Sequence, residues 1–177
     1  RSLRIDIAGG WYHVTTRGIE RRDIYREDGD REHFLELLGK MSDQFRISVH
    51  AFVLMQNHYH LFLETTDANT SRAMQWLNVS YSVWFNRRHG RCGHLFGGRF
   101  KSVVVEDGEW GLKLSEYIHL NPLRVRGLGM GKAERQRQQA GMGRTPHQQE
   151  VTQRLEALRD YRWSSYRAYA GYGRAPA

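Results

Sequence analysis

The sequence predicts an α+β fold in the order β-α-β-β-α-β, followed by one further helix. Three observations carry that prediction. Runs rich in aromatic and β-branched residues occur at four places. Two long stretches between them show apolar residues at three- and four-residue steps. A short polar turn, too short for a helix, separates the second run from the third.

The first strand spans Gly10 to Gly18, with Trp11, Tyr12, Val14, Thr15 and Thr16 between two glycines. Arg21, Arg22 and Asp23 follow in a polar loop. From Asp30 the residues Phe34, Leu37, Leu38, Met41 and Phe45 repeat at helical spacing, and Asp28 or Asp30 is the candidate cap. Between Ile47 and Thr65, Val49, Ala51 and Val53 alternate with His50, Phe52 and Leu54. Met55-Gln56-Asn57 then makes a turn, and a third strand runs from His58 to Glu64. A second helix covers Thr70 to Arg88 on Met74, Leu77, Tyr81, Trp84 and Phe85. After the glycine-rich stretch Gly90 to Gly98, a fourth strand runs from Phe100 to Glu106. A third helix starts near Glu109 and is stopped by Asn121-Pro122. This order is the ferredoxin-like split βαβ arrangement, an antiparallel sheet with helices on one face.

Three segments are expected. Residues 1–127 form the core. Residues 128–150, dominated by Gly, Gln and Arg with no clear period, read as a flexible insertion. Residues 151–177 carry an aromatic helical segment, Tyr161 to Tyr169, that packs back on the core.

A chain of 177 residues suits one sizeable core. The formal net charge of +8 points to a polyanionic partner, of which nucleic acid is the commonest. No run of about 18 apolar residues exists, so no membrane helix is expected. No charged-then-apolar leader opens the sequence, and Cys92 is the single cysteine. A cytoplasmic protein without an internal disulfide is expected, associated with the nucleoid when bound to DNA.

His58 and His60 carry the first chemical signal. Positions i and i+2 of a strand share a face, so the two imidazoles stand side by side while Tyr59, Leu61 and Leu63 turn to the core. Two readings are open for such a pair: two surface histidines, or two ligands of one cation at an accessible strand end. His50 on the neighbouring strand is either a supporting partner or a plain sheet residue. Tyr117 and Asn121, four apart, share a helix face, whereas His119 points elsewhere. Each is either a packed residue or part of a site. A tyrosine beside a metal-held phosphate suits a nucleophile, with an ordinary pKa of about 10 that must be overcome.

Several motifs in order resemble one family. Gln56-Asn57-His58-Tyr59-His60-Leu61 is similar to the His-hydrophobic-His motif of the HUH endonucleases. The stretches Gly93 to Ser102 and Tyr117-Ile118-His119-Leu120-Asn121-Pro122 resemble the segments that follow it in IS200-like tyrosine transposases. Tyr12 to Gly18 and Trp163-Ser164-Ser165-Tyr166 match the two ends of the REP-associated group of these transposases. The likeness covers nearly the whole chain apart from about 128–150. It implies a transposase with a ferredoxin-like core and an added catalytic helix, acting on single-stranded DNA with hairpin repeats. Tyr117 would attack a phosphodiester, giving a covalent 5′-phosphotyrosine and a free 3′-hydroxyl, and the reverse step would rejoin strands. His58 and His60 would hold one Mg²⁺ or Mn²⁺. Asn121 would stand where the family often has a glutamine, and its shorter reach puts direct ligation in doubt. Monomers and homodimers both occur in the family.

Candidate phosphate contacts form three groups: Arg17, Arg21 and Arg22; Arg87, Arg88, Arg91, Arg99 and Lys101; Arg124 and Arg126. Tyr12, Phe96 and Trp110 are candidates for stacking on unpaired bases, against ordinary core packing. Gly127 to Lys132 follows no strand, and Ala133 stands where a nucleotide-binding loop needs Ser or Thr. Cys92, His89 and His94 lack a fourth zinc ligand. The competing functions are a catalytically silent hairpin-binding protein, a replication-type nickase, and a metal hydrolase with other substrates.

Overall fold

The computed structural model describes residues 5–106, 108–124, 128 and 130–173. Its strands are β1 (Trp11–Arg17), β2 (Ile47–Met55), β3 (His58–Thr65) and β4 (Lys101–Val105). They form one sheet in the order β2-β3-β1-β4. Every neighbouring pair is antiparallel, so the split βαβ arrangement is present as expected.

Helices α1 (Asp28–Phe45) and α2 (Thr70–Arg88) cover one face of the sheet. Phe34, Leu37, Leu38 and Met41 from α1 and Met74, Leu77, Tyr81 and Phe85 from α2 meet Tyr12, Val14, Tyr59, Leu61 and Leu63 there. The alternation expected for His58 to Glu64 is therefore real: Tyr59, Leu61 and Leu63 are fully buried. Helix α1 is capped differently from expectation. Glu27 is the N-cap, and Asp30 acts from the third helical position, accepting hydrogen bonds from the backbone N–H of Arg26 (2.7 Å) and Glu27 (3.2 Å).

The sheet is covered on both faces, not one. Helix α3 (Glu109–His119) packs on the second face, where Ile118 joins Ala51, Val53 and Phe62, with Tyr117 and Leu114 at the margin. Gly111 permits the close approach, because a Cβ there would lie 3.2 Å from the Trp11 ring and 3.4 Å from Phe62. In β2 the alternation breaks at a bulge between Val49 and Ala51. Val49 joins the α1/α2 side and Ala51 and Val53 the α3 side, so the three do not share a face.

The stretch 128–150, read from its composition as a flexible insertion with no clear period, includes α4 (Lys132–Gln139) and the first turn of α5 (Gln148–Asp160). The segment Tyr161 to Tyr169, which ends in α6 (Tyr166–Tyr169), closes the open edge of β2. The Leu54 N–H donates to the Trp163 carbonyl (2.8 Å), the Ser165 N–H to the Phe52 carbonyl (3.1 Å), and the Tyr161 hydroxyl to the Leu54 carbonyl (2.6 Å). The Ser165 hydroxyl also meets Nε2 of His119 at 2.8 Å, tying α3 to this edge. No helix among the described residues is long and apolar enough to cross a membrane.

Candidate active site

The site is built on the α3 face of the sheet, where β3 begins. Its first support is the two-residue turn Gln56-Asn57. Gln56 receives a hydrogen bond from the Arg31 guanidinium (2.6 Å) and gives one to the Tyr25 carbonyl (2.8 Å), fixing the turn to the loop after β1. Asn57 donates through Nδ2 to the Arg21 carbonyl (2.9 Å), and its Oδ1 lies 2.7 Å from Nδ1 of His58. A carbonyl oxygen only accepts, so His58 carries its ring hydrogen on Nδ1 and keeps the lone pair on Nε2.

His60 is oriented from the other side. Its Nδ1 lies 2.9 Å from Nε2 of His13 on β1, and the two rings stack with planes 15° apart. The rings of His58 and His60 are 5.1 Å apart, edge to face. Burial lowers the pKa of both: His58 to about 4, with help from the Arg17 charge, and His60 to about 3, with help from His13, His58 and nearby arginines. Burial also lowers His13. Both residues of the pair are thus neutral near pH 7, the state a metal ligand needs.

Tyr117 stands over this group from α3. Its ring lies 5.7 Å from the rings of both His13 and His60, nearly perpendicular to each, and the Arg124 guanidinium covers its face at 3.9 Å. Asn121 is buried in the 3-10 turn after α3 and donates through Nδ2 to the Tyr117 carbonyl (2.9 Å). His119 points elsewhere, as expected, toward Ser165, Tyr166 and Tyr169.

His58 and His60 open on a cleft of about 390 Å³. Arg17, Arg21, Arg99 and Lys101 line it, with Glu20 as the single acid. Two of the three basic groups therefore merge, because an antiparallel bridge between Gly18 and Phe96 brings the loop after β1 against the glycine-rich loop. Arg124 lies over the Tyr117 ring, and the remaining described candidates fall elsewhere. Arg22 pairs with Glu20 (2.7 Å), Arg88 pairs with Glu27 (2.8 Å), and the Arg91 guanidinium sits over Phe85. Arg87 does not line the cleft. Arg126 lies outside the described residues. Of the aromatic candidates, Tyr12 and Phe96 are buried in the core and Trp110 is 59% exposed. His50 pairs with Glu64 (2.8 Å) and stacks on Trp11, a sheet residue rather than a partner of the histidine pair.

Among the described residues one other group has metal-ligand chemistry: Glu27, Asp30 and His89, with their ligand atoms within 4.8 Å of one another. Asp30 is fully buried and its oxygens already accept from two backbone N–H groups and from His89 (2.9 and 3.1 Å), with Arg88 at 3.6 Å. Those contacts join the start of α1 to the end of α2.

A family model for IS200-like transposases matches residues 7–121. The chain belongs to that family. Transposases are DNA-cleaving enzymes, and the match contains His58, His60, Tyr117 and Asn121. No curated protein matches the chain. Among solved structures, a REP-associated tyrosine transposase bound to a REP hairpin is similar in fold. The two align with a TM-score of 0.65 and 14% identity, over 99% of this chain and 88% of that one. A protein from Deinococcus radiodurans R1, provisionally described as a transposase, aligns at 13% identity over 67% of this chain and 95% of its own, with a TM-score of 0.47. Two residues of the candidate site have no individual role assigned from the sequence: Asn57 is quoted there only as part of the motif around the pair, and His13 reaches the pair only through the β1–β3 register.

Proposed function

We propose that this transposase cleaves and rejoins single-stranded DNA beside hairpin repeats, using Tyr117 as nucleophile. The observation that carries the reading is the meeting of three features: two histidines that burial keeps neutral near pH 7, a tyrosine ring 5.7 Å from His60, and a cleft lined by four cationic side chains. The hairpin partner is taken from the structural neighbour, which is described as bound to one.

One divalent cation, Mg²⁺ or Mn²⁺, would be held by His58 and His60 through Nε2, with Asn121, the shorter counterpart of the family's glutamine, as the candidate third donor. A cation held there would polarise the scissile phosphate and offset the charge that develops on it. Arg17, Arg21, Arg99 and Lys101 hold the flanking phosphates of a single strand. The phenol oxygen of Tyr117 attacks phosphorus, the P–O3′ bond breaks, and the chain is linked through its 5′-phosphate to Tyr117. The phenol proton passes to solvent, and the leaving 3′-oxygen takes one up. Attack on the tyrosyl ester by a 3′-hydroxyl of another strand reverses the step. The ester conserves the phosphodiester energy, so rejoining requires no nucleotide cofactor.

The test is incubation with an oligonucleotide carrying a hairpin and single-stranded flanks, in Mn²⁺, followed by denaturing electrophoresis. A protein–DNA adduct is expected, absent for Tyr117→Phe. Full adduct formation by Tyr117→Phe would overturn the assignment, and free 5′-phosphate ends without any adduct would indicate hydrolysis instead.

A further inference from the structure

His13 has no part in the chemistry just described, yet its side chain lies within hydrogen-bond distance of His60. It lies on β1, on the diagonal from His60 across the strand pair, since the residue directly opposite His60 is Thr15. Odd-numbered residues of β1 and even-numbered residues of β3 share the α3 face, so His13 reaches the site from a strand that supplies no ligand. Its Nε2 is 2.9 Å from Nδ1 of His60, and its ring is 5.7 Å from that of Tyr117.

We infer that His13 is a positioning residue that holds His60 with Nε2 directed at the cation. The inference rests on the metal reading above. One hydrogen is shared between the two facing nitrogens. With Nε2 of His60 kept for a cation, Nδ1 of His60 carries that hydrogen and donates it to Nε2 of His13, and His13 carries its own on Nδ1. Asn57 does the same for His58 with a carbonyl oxygen. Each member of the pair thus has a supporting acceptor on Nδ1, the arrangement that fixes tautomer and ring orientation in metal-bound histidines. His13 adds a second constraint. Because its ring also abuts Tyr117, one side chain sets both the ligand and the nucleophile against a common reference.

The test is Mn²⁺ affinity, read by electron paramagnetic resonance on the full chain without DNA, for wild type and three variants. His13→Phe keeps an aromatic ring against His60 and Tyr117 but removes the acceptor. It should bind Mn²⁺ about 10- to 100-fold more weakly, the range for loss of a ligand's supporting partner. His13→Gln retains a carbonyl acceptor and should recover most of that loss. His60→Ala should lose binding further. Wild-type affinity in His13→Phe, with His60→Ala impaired, would overturn the role of His13 alone. Unchanged affinity in His60→Ala would overturn the metal reading itself. If His13→Phe matched His60→Ala and His13→Gln restored nothing, His13 would be a ligand and not a positioning residue. Circular dichroism checks folding, and should His13→Phe fail to fold, affinity in His13→Gln below one-tenth of wild type would count against the inference.

Discussion

His60 and His89 are both sheltered histidines with a close polar neighbour, and they end in different chemistry. His60 faces His13, a neutral ring that uses one nitrogen and leaves the other toward a cationic cleft. His89 faces Asp30, a buried carboxylate whose oxygens also serve the start of α1 and Arg88. The Glu27–Asp30–His89 group has the richer set of metal donors by type, yet its acceptors are already filled. A donor set becomes a site when lone pairs are left over, and residue identity alone does not show that.

The comparison breaks most sharply on paired substitutions. If His60 is a metal ligand as proposed, His60→Ala should reduce Mn²⁺ affinity at least about 100-fold, since it removes a ligand and not merely its support, and it should abolish the DNA adduct. Asp30→Ala should leave Mn²⁺ affinity at the wild-type value. Its loss strips the cap of α1 and leaves His89 and two backbone N–H groups without their acceptor. A cost of about 3 kcal/mol follows, lowering Tm by about 6–12 °C. Metal titration and thermal denaturation of both variants check this, and a metal defect in Asp30→Ala would erase the distinction.

A smaller effect concerns the His58–His60 pair and pH. Burial depresses His58 to about 4 and His60 to about 3, while in the unfolded chain both titrate near 6.5. Between pH 6.5 and about 3 the unfolded state therefore binds more protons, and stability of the metal-free protein falls as pH drops through that window. Urea unfolding at pH 7 and pH 5 should show the loss. A His60→Ala, His58→Ala double variant should show a shallower dependence, and an unchanged slope would mean the pair is not what titrates.

What the sequence made legible follows the reach of local periodicity. The shared face of His58 and His60 follows from the period of two, and the pairing of Tyr117 with Asn121 from the helical period. The long apolar stripes of α1 and α2 were readable for the same reason. His13 was not, because 47 residues separate it from His60 and only the strand register joins them. The bulge in β2 shifts the alternation after Val49 without any glycine to announce it. Helix α4 escaped because Lys132 to Gln139 is rich in helix formers but has no apolar stripe, and periodicity detects stripes. The basic residues looked like three groups along the chain because the Gly18–Phe96 bridge, which joins two of them, is a tertiary fact.

The smallest expected effect concerns those basic residues. Arg99 lines the cleft with His58 and His60, whereas Arg91, eight positions earlier, lies over Phe85 near the end of α2. If the cleft holds the strand, Arg99→Ala removes one phosphate contact. The slope of log affinity against log salt for a single-stranded oligonucleotide should then become shallower by about 0.7. Arg91→Ala should leave the slope unchanged, although the two residues share a loop and a charge. Fluorescence anisotropy at several salt concentrations measures both. Equal changes would mean that the strand spreads over the α2 end of the molecule and that the cleft does not define its path. A change in Arg99→Ala alone would place the phosphates beside the histidine pair, on the side of the molecule where Tyr117 stands.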